Sequence, residues 1–323
     1  MEFSSLEIFC AVATAQGVTR AAQRLGRVQS NITTRVQQLE DELKVELFSR
    51  SGKRMALTPS GQRLFEYTRR MLSLVEEARQ AVNLDQATGH LRIGALESTA
   101  AARLPALLST YHSRWPRVDL EISIGTSRSL LEDVANGRLD CAFVAEAGVQ
   151  IPPAAGATFS MPGLKGTRAY TEEMLLVLPP NHPPVSRPED LSVTTLAAFP
   201  TGCTYRNVLE RWLGSRRADR PWKVMELVSY HAILACVAAG SCIALCPKSI
   251  LDLQRVPMDV RTQAIGTIDT GLVARDAYSH RPYEELVQSI QAMRHEASAL
   301  APVLAPAVCS NPVVAALRGH GGT

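Results

Sequence analysis

Three features that would each assign this 323-residue sequence to a class at a glance are missing. No uninterrupted apolar run approaches the roughly 20 residues needed to cross a bilayer, which argues against a membrane-spanning helix. The opening residues, MEFSSLEIFCAVATAQG, carry Glu2 and Glu7 and no basic segment. They do not read as an export signal, so the expected location is the cytoplasm, with no membrane partner. Net charge is small: 34 Lys+Arg against 31 Asp+Glu leave +3. That excludes a uniformly basic coating protein, though not a basic surface confined to one domain.

Signatures of catalysis and metal binding are missing too. There is no GxSxG elbow, P-loop, HExxH or GxGxxG, and the seven histidines are isolated, so the reading is not an enzyme and no cofactor is expected. Cys242 and Cys246 flank an apolar stretch without a nearby Cys/His pair, so the spacing makes no zinc site. Seven scattered cysteines, an odd number, do not make a disulfide framework. Cys10, Cys141, Cys236 and Cys242 sit in apolar surroundings and read as buried structural thiols. No internal repeat or long low-complexity tract is present.

What is present is a folded chain, 46% hydrophobic and 20% charged, long enough for two or three domains. Leu6, Phe9, Cys10 and Ala13 have helical spacing ending at Gly17. Thr19 is placed as the N-cap of a short second helix with Ala21, Ala22 and Leu25 on one face, and Gly26 breaks it. A third helix, starting near Gln29, runs through Ile32, Val36, Leu39 and Leu43. Helix, short helix, turn, helix is the helix-turn-helix arrangement. FSRSGKRMAL (48–57) comes next as a basic hairpin with Gly52 at its tip, closing a first domain at 1–58.

Thr58-Pro59-Ser60-Gly61 starts a linker helix over 59–83, because proline is tolerated in a first helical turn. Leu64, Met71 and Ala78 alternate with Tyr67, Leu74 and Ala81 as an a/d stripe. Two fates remain open for it: pairing with a second copy, or packing on its own domain. After a polar hinge at 84–90 the texture becomes β-α-β-α-β: strand 91–96, helix 101–115, strand 118–125, helix 130–136 and strand 139–144. That order implies a parallel sheet. A second stretch, about 165–265, holds strands at 175–179 and 242–246 and helices at 208–213 and 231–239. The tail, 301–323, is rich in Ala, Pro and Gly and reads as flexible.

The third helix carries the first candidate chemistry. Gln29, Ser30, Thr33 and Thr34 lie off its apolar face; Gln can bond adenine bidentately, and Ser or Thr can reach base edges. Arg35, Arg50, Lys53 and Arg54 can neutralise phosphates. Residues 17–54 contain eight Lys/Arg and four Asp/Glu, a local +4 that exceeds the charge of the whole chain. An ordinary solvated helical bundle is the competing reading.

At these residues a resemblance enters. GVTRAAQRLGRVQSNITTRVQQLEDELKVELFSRSGKRMALTPSGQRL resembles the N-terminal domain of LysR-type transcriptional regulators. LRIGALEST, LPALLSTYHSRWPRVDLEISIGTS and GRLDCAFVA resemble the same family's effector domain. TGCTYRNVLERWL and SYHAILACVAAGSCIALCPKSIL resemble one branch of the family, so the likeness covers about 2–297. Two departures stand out. Many members carry Ser where this chain has Val28, removing a cap from the third helix, and GLVARD with the tail is less typical.

The resemblance implies an α+β multidomain fold: an N-terminal winged helix-turn-helix, a long linker helix, and a C-terminal two-lobed α/β domain like type 2 periplasmic binding proteins. The effector domain would be 91–300, with lobe I at about 91–160 and 268–297 and lobe II at about 161–267. The chain would cross between lobes near 145–165 and 265–272. Also implied are a homodimer or homotetramer on an interrupted inverted repeat of double-stranded DNA, contact with RNA polymerase, and control by a small metabolite.

A ligand of such a domain sits in the crevice at the carboxyl ends of strands. Ser98 and Thr99 come directly after the first strand, and Thr126 and Ser127 after the second. By resemblance, Ser98 and Thr126 match positions at which members bind their effector. Across the cleft stand Cys203, Thr204, Tyr205 and Arg206, beside Gly202, and then Tyr230 and His231, beside Ser229. Helix capping is the competing role for each hydroxyl taken singly. Glu97 and His231 hint at a cationic effector and Arg206 at an acidic one, so its identity stays open. Cys203, ahead of a helix and near Arg206, has two readings: a packing or pocket thiol, or a thiol-based redox sensor. A solute-binding receptor without DNA binding is the remaining alternative.

Overall fold

The computed structural model describes residues 1–51, 54–81, 88–145, 158–161, 163–214 and 222–300, with residues 50, 51, 54, 76, 77, 79–81, 158–161 and 296–300 described by their backbone alone. Gly52, Lys53, most of the hinge and the tail expected at 301–323 therefore lie outside the described residues. The chain divides into two compact units, one formed mainly by residues 1–84 and the other by most of the remaining chain.

In the first unit, α1 (Phe3–Ala15), α2 (Val18–Leu25) and α3 (Gln29–Leu43) precede the hairpin β1 (Phe48–Ser51) and β2 (Arg54–Leu57), and α4 (Pro59–Ala81) completes it. The helices form where apolar residues recur on one face. Leu6, Phe9 and Val12 of α1, Ala21 and Ala22 of α2, and Ile32, Val36 and Leu39 of α3 are buried in one cluster. Phe9 anchors it, with its ring centroid 5.4 Å from Phe48 and 6.4 Å from Phe65. Glu40 Oε1 accepts the backbone N–H groups of Leu47 (2.7 Å) and Phe48 (3.1 Å), fixing the wing to α3. Two helix starts differ from the simplest sequence expectation. The N-cap of α2 is Gly17, so Thr19 falls inside the first turn; and Val28 caps α3 without any side-chain bond, as its lack of an oxygen requires.

Thr58 starts α4: its Oγ1 accepts the Gly61 N–H at 3.0 Å, with Pro59 as the first helical residue. The apolar stripe on α4 is only partly covered within the unit. Leu64, Phe65 and Met71 pack against the core of the unit, while Tyr67 and Leu74 stay 63% and 64% exposed.

The second unit runs β3 (Gly89–Ala95), α5 (Glu97–Ala102), α6 (Leu104–Arg114), β4 (Val118–Ile124), α7 (Ser127–Ala135), β5 (Cys141–Ala145), β6 (Thr158–Met161), β7 (Leu164–Leu178), β8 (Thr195–Ala198), α8 (Thr204–Leu213), β9 (Lys223–Glu226), α9 (Tyr230–Ala238), β10 (Ala244–Pro247), α10 (Lys248–Leu251), β11 (Arg261–Arg275) and α11 (Arg281–Leu300). β3 pairs in parallel with β4 and β5, as the β-α-β-α-β reading requires. The expected helix 101–115 is two helices: the chain breaks at Arg103, two residues before Pro105, which cannot sit in a helix interior. The expected helix 208–213 begins earlier, at Thr204.

The main sheet has the order β10-β7-β11-β5-β3-β4, with β6 on β7. β7 and β11 are each 15 residues long and run through both lobes. The first part of β7 pairs with β6 and with Gly271–Arg275; Met174–Val177 pairs with β10. One crossing between lobes thus falls inside β7, later than the expected 145–165, of which 146–157 and 162 are undescribed. The other falls in β11, where register shifts at Ala264/Gly266 and Thr270/Gly271 bend the strand. Among the described residues no helix is long and apolar enough to cross a membrane.

Candidate functional site

Two surfaces gather the candidate residues, one in each unit. On α3 the helical period turns Ile32, Val36 and Leu39 inward and leaves Gln29, Ser30, Asn31 and Thr34 exposed. Thr33 is half-buried and its hydroxyl donates to the Gln29 carbonyl at 3.1 Å, so its polar group is engaged within the helix. Arg35 donates to Glu2 at 3.1 Å; in water such an exposed pair contributes little and can exchange Glu2 for another anion. Arg50 and Arg54 lie on the wing strands, but their side chains, and all of Lys53, fall outside the described residues. Two exposed residues beside the expected ones add to this face: Asn31, and Val28, 69% exposed at the start of α3.

In the second unit a recess of about 250 Å³, counting space open to solvent, lies at the carboxyl ends of β3 and β4. Leu96, Glu97 and Ser98 line one side, with Gly125 and Thr126 beside them. Phe199, Cys203, Tyr205 and Tyr230 line the other. Of the residues expected from sequence, Ser98, Thr126, Cys203, Tyr205 and Tyr230 therefore meet at one place.

The others do not. The Thr99 hydroxyl pairs with that of Tyr170. Thr204 Oγ1 lies 2.9 Å from Ser127 Oγ and 3.1 Å from the Ala145 carbonyl, so both hydroxyls are buried in contacts between the lobes. His231 is exposed and is not part of the recess wall. Arg206 is fully engaged: it donates to Glu210 (2.7 Å), Glu226 (2.6 Å) and the Phe199 carbonyl (3.3 Å). Leu96, Gly125 and Phe199 are lining residues that sequence reasoning missed, because apolar residues and glycine carry no polar signal.

Close approach across the cleft is set by Gly202. Its φ is +98°, and a β-carbon there would lie 3.0 Å from Thr126 Oγ1 and 3.1 Å from Arg128 Cβ. Its carbonyl accepts the Arg128 N–H at 3.3 Å, tying the loop before α8 to the start of α7.

Burial governs the ionisable groups of the recess. The Glu97 carboxyl is pushed above its usual range by desolvation, against a weak pull from the Tyr230 N–H. Burial raises the Cys203 thiol more than the N–H groups of Arg206 and Tyr205 lower it. A thiol so placed is protonated at neutral pH, and the redox-sensor reading loses its reactive thiolate. The Tyr205 hydroxyl is raised by burial as well.

Comparison with known proteins gives the family. Residues 3–62 match the model of the bacterial regulatory helix-turn-helix protein, lysR family, and residues 84–294 that of the LysR substrate binding domain. The chain is 35% identical over 266 residues to the HTH-type transcriptional regulator GltR of Bacillus subtilis, covering 82% of this chain and 86% of that one. It is 34% identical over 302 residues to the HTH-type transcriptional regulator CzcR of Bacillus thuringiensis, covering 91% and 99%. In fold it is similar to a full-length OxyR variant from Pseudomonas aeruginosa (TM-score 0.70, 22% identity, 90% of this chain and 95% of that one). It is also similar to full-length CbnR complexed with its target DNA (TM-score 0.60, 21% identity, 90% and 99%).

Proposed function

Because the chain belongs to the LysR family and is a DNA-binding transcriptional regulator with an effector-binding domain, we propose that α3 reads operator DNA and that the recess between the lobes receives the effector. The outward face of α3 carries the first half of this reading. Gln29, Ser30 and Thr34 are exposed on a helix whose opposite side is locked into a core, which leaves them free to meet base edges in a major groove. Asn31 joins them, since its amide can bond adenine as glutamine does. Arg35 and the wing residues Arg50, Lys53 and Arg54 serve the phosphates.

The proposed assembly uses the exposed part of α4. Tyr67 and Leu74 supply the apolar strip on which a second copy pairs, and two such pairs would make a tetramer. The domain limits we propose are 1–58, 59–83, 84–90 and 91–300. A small effector held by Ser98, Thr126, Cys203, Tyr205 and Tyr230 favours one arrangement of the lobes and so biases how the paired DNA-binding units are spaced. Contact with RNA polymerase belongs to the same proposal.

Hydroxyl-radical footprinting of the full-length chain on DNA upstream of its own gene tests the assembly. Protected half-sites on one face of the duplex, separated by whole helical turns, are expected. Protection without such phasing would contradict two-fold pairing through α4.

A further inference from the structure

The sequence leaves the charge of the effector open, with Glu97 and Arg206 pointing in opposite directions. The structure separates them. All three polar contacts of Arg206 are intramolecular, two of them to carboxylates, so it offers no free charge to a ligand. Arg103 is bound to Glu172 at 2.7 Å, and Arg128, at the rim, faces Glu132 on its own helix. Glu97 is different. Its Oε1 accepts only a long bond, 3.4 Å, from the Tyr230 N–H, and its Oε2 is buried at the recess without any partner.

A buried carboxylate oxygen with nothing to bond is costly unless something arrives to pair it. The surroundings suit one kind of partner. Phe199 and Tyr230 stand beside Glu97 with ring centroids 5.0 Å apart, and aromatic faces attract cations. No arginine, lysine or histidine lines this recess among the described residues; Arg206 lines the adjoining space behind Phe199, Cys203, Tyr205 and Tyr230, where its contacts go to Glu210, Glu226 and the Phe199 carbonyl. The buried Tyr205 hydroxyl, which lies near Ser98 and Thr270, can serve a polar group at the other end of the ligand.

We infer that the effector carries a protonated amine, which pairs with the Glu97 carboxylate against the rings of Phe199 and Tyr230. This rests on the reading of the recess as the effector site. It also fixes a pH dependence. Cys203, Tyr205, Tyr230 and Cys246, the titratable groups near Glu97, are all held protonated by burial at neutral pH, and Glu172 beyond them is paired with Arg103. His231, beside Tyr230 on the facing helix, is exposed and outside the recess wall. Among the groups that line the recess Glu97 is then the one whose charge changes as pH falls, and amine binding weakens as it becomes protonated.

Thermal-shift and calorimetric titration of the full-length protein with matched probes tests this: butylamine, phenethylamine and putrescine against butyrate, phenylacetate and butanol. The amines should raise the midpoint, Glu97→Gln should weaken their binding at least tenfold, and wild-type affinity should fall as pH is lowered. Thr126→Phe, which fills the recess, should abolish it. Carboxylates that bind best at low pH, are blocked by Thr126→Phe and are unaffected by Glu97→Gln would overturn the charge assignment while leaving the effector site in place. Binding indifferent to Thr126→Phe, or no stabilisation by any probe, would overturn the effector site itself and the assignment with it.

Discussion

Thr204 and Ser127, on opposite sides of the cleft, are joined through their side chains, with the Thr204 hydroxyl 2.9 Å from that of Ser127 and 3.1 Å from the Ala145 carbonyl. Both residues are buried, so the contact is not exchanged for water. Thr204→Val keeps the shape and removes the donor. It should cost about 1 kcal/mol, a net hydrogen bond, and lower the melting midpoint of the effector unit by roughly 2–4 °C. An unchanged midpoint would show that this bond does not hold the lobes.

Gly61 is the second fixed point. A β-carbon there would lie 2.0 Å from the Leu47 carbonyl oxygen, in the backbone, where no side-chain rotation relieves the clash. Gly61→Ala must therefore displace α4 from the wing and should destabilise the DNA-binding unit by about 1–3 kcal/mol, as overpacking does. Urea denaturation monitored by circular dichroism measures this; a neutral result would mean that the helix start is free to shift.

The raised pKa of Glu97 makes a statement about stability. A carboxyl held above its usual range costs nothing when protonated in both folded and unfolded chains. The cost develops as pH rises through the ordinary carboxylate range and is complete above the folded-state value. Glu97→Gln should therefore leave the ligand-free protein unchanged at acid pH and make it more stable at neutral pH. Equal midpoints at both pH values would contradict the burial assigned to this side chain.

Cys203 should behave as a packing thiol. Its alkylation by iodoacetamide at pH 7.5 should be far slower in the folded chain than in urea, and Cys203→Ser should leave DNA binding insensitive to added peroxide, as in the wild type. Rapid labelling of folded Cys203, accompanied by a change in DNA binding, would restore the sensor reading.

Much of this was legible in the residues. The spacing of Ile32, Val36 and Leu39 placed α3 and, by subtraction, its outward face; Thr58-Pro59 marked the start of α4 because both residues act locally. The features that failed to show depend on distant partners. The first half of β7 alternates buried and partly exposed residues through KGTRAYTEE, so it lacks the apolar run that made Leu175–Leu178 visible. Arg206 looked available because Glu226, which helps to engage it, lies 20 residues along the chain. Thr99, Ser127 and Thr204 looked like ligands for the same reason: their hydrogen-bond partners belong to other elements.

The central claim, that α3 reads sequence while the basic wing only grips the duplex, is tested most directly by salt-dependent fluorescence anisotropy with operator and scrambled DNA. Gln29→Ala should weaken operator binding by about 1–3 kcal/mol, the value of a bidentate base contact, and leave scrambled DNA nearly unaffected. Arg50→Ala should weaken both and flatten the salt dependence by about one counterion. An equal loss on both duplexes for Gln29→Ala would contradict the account.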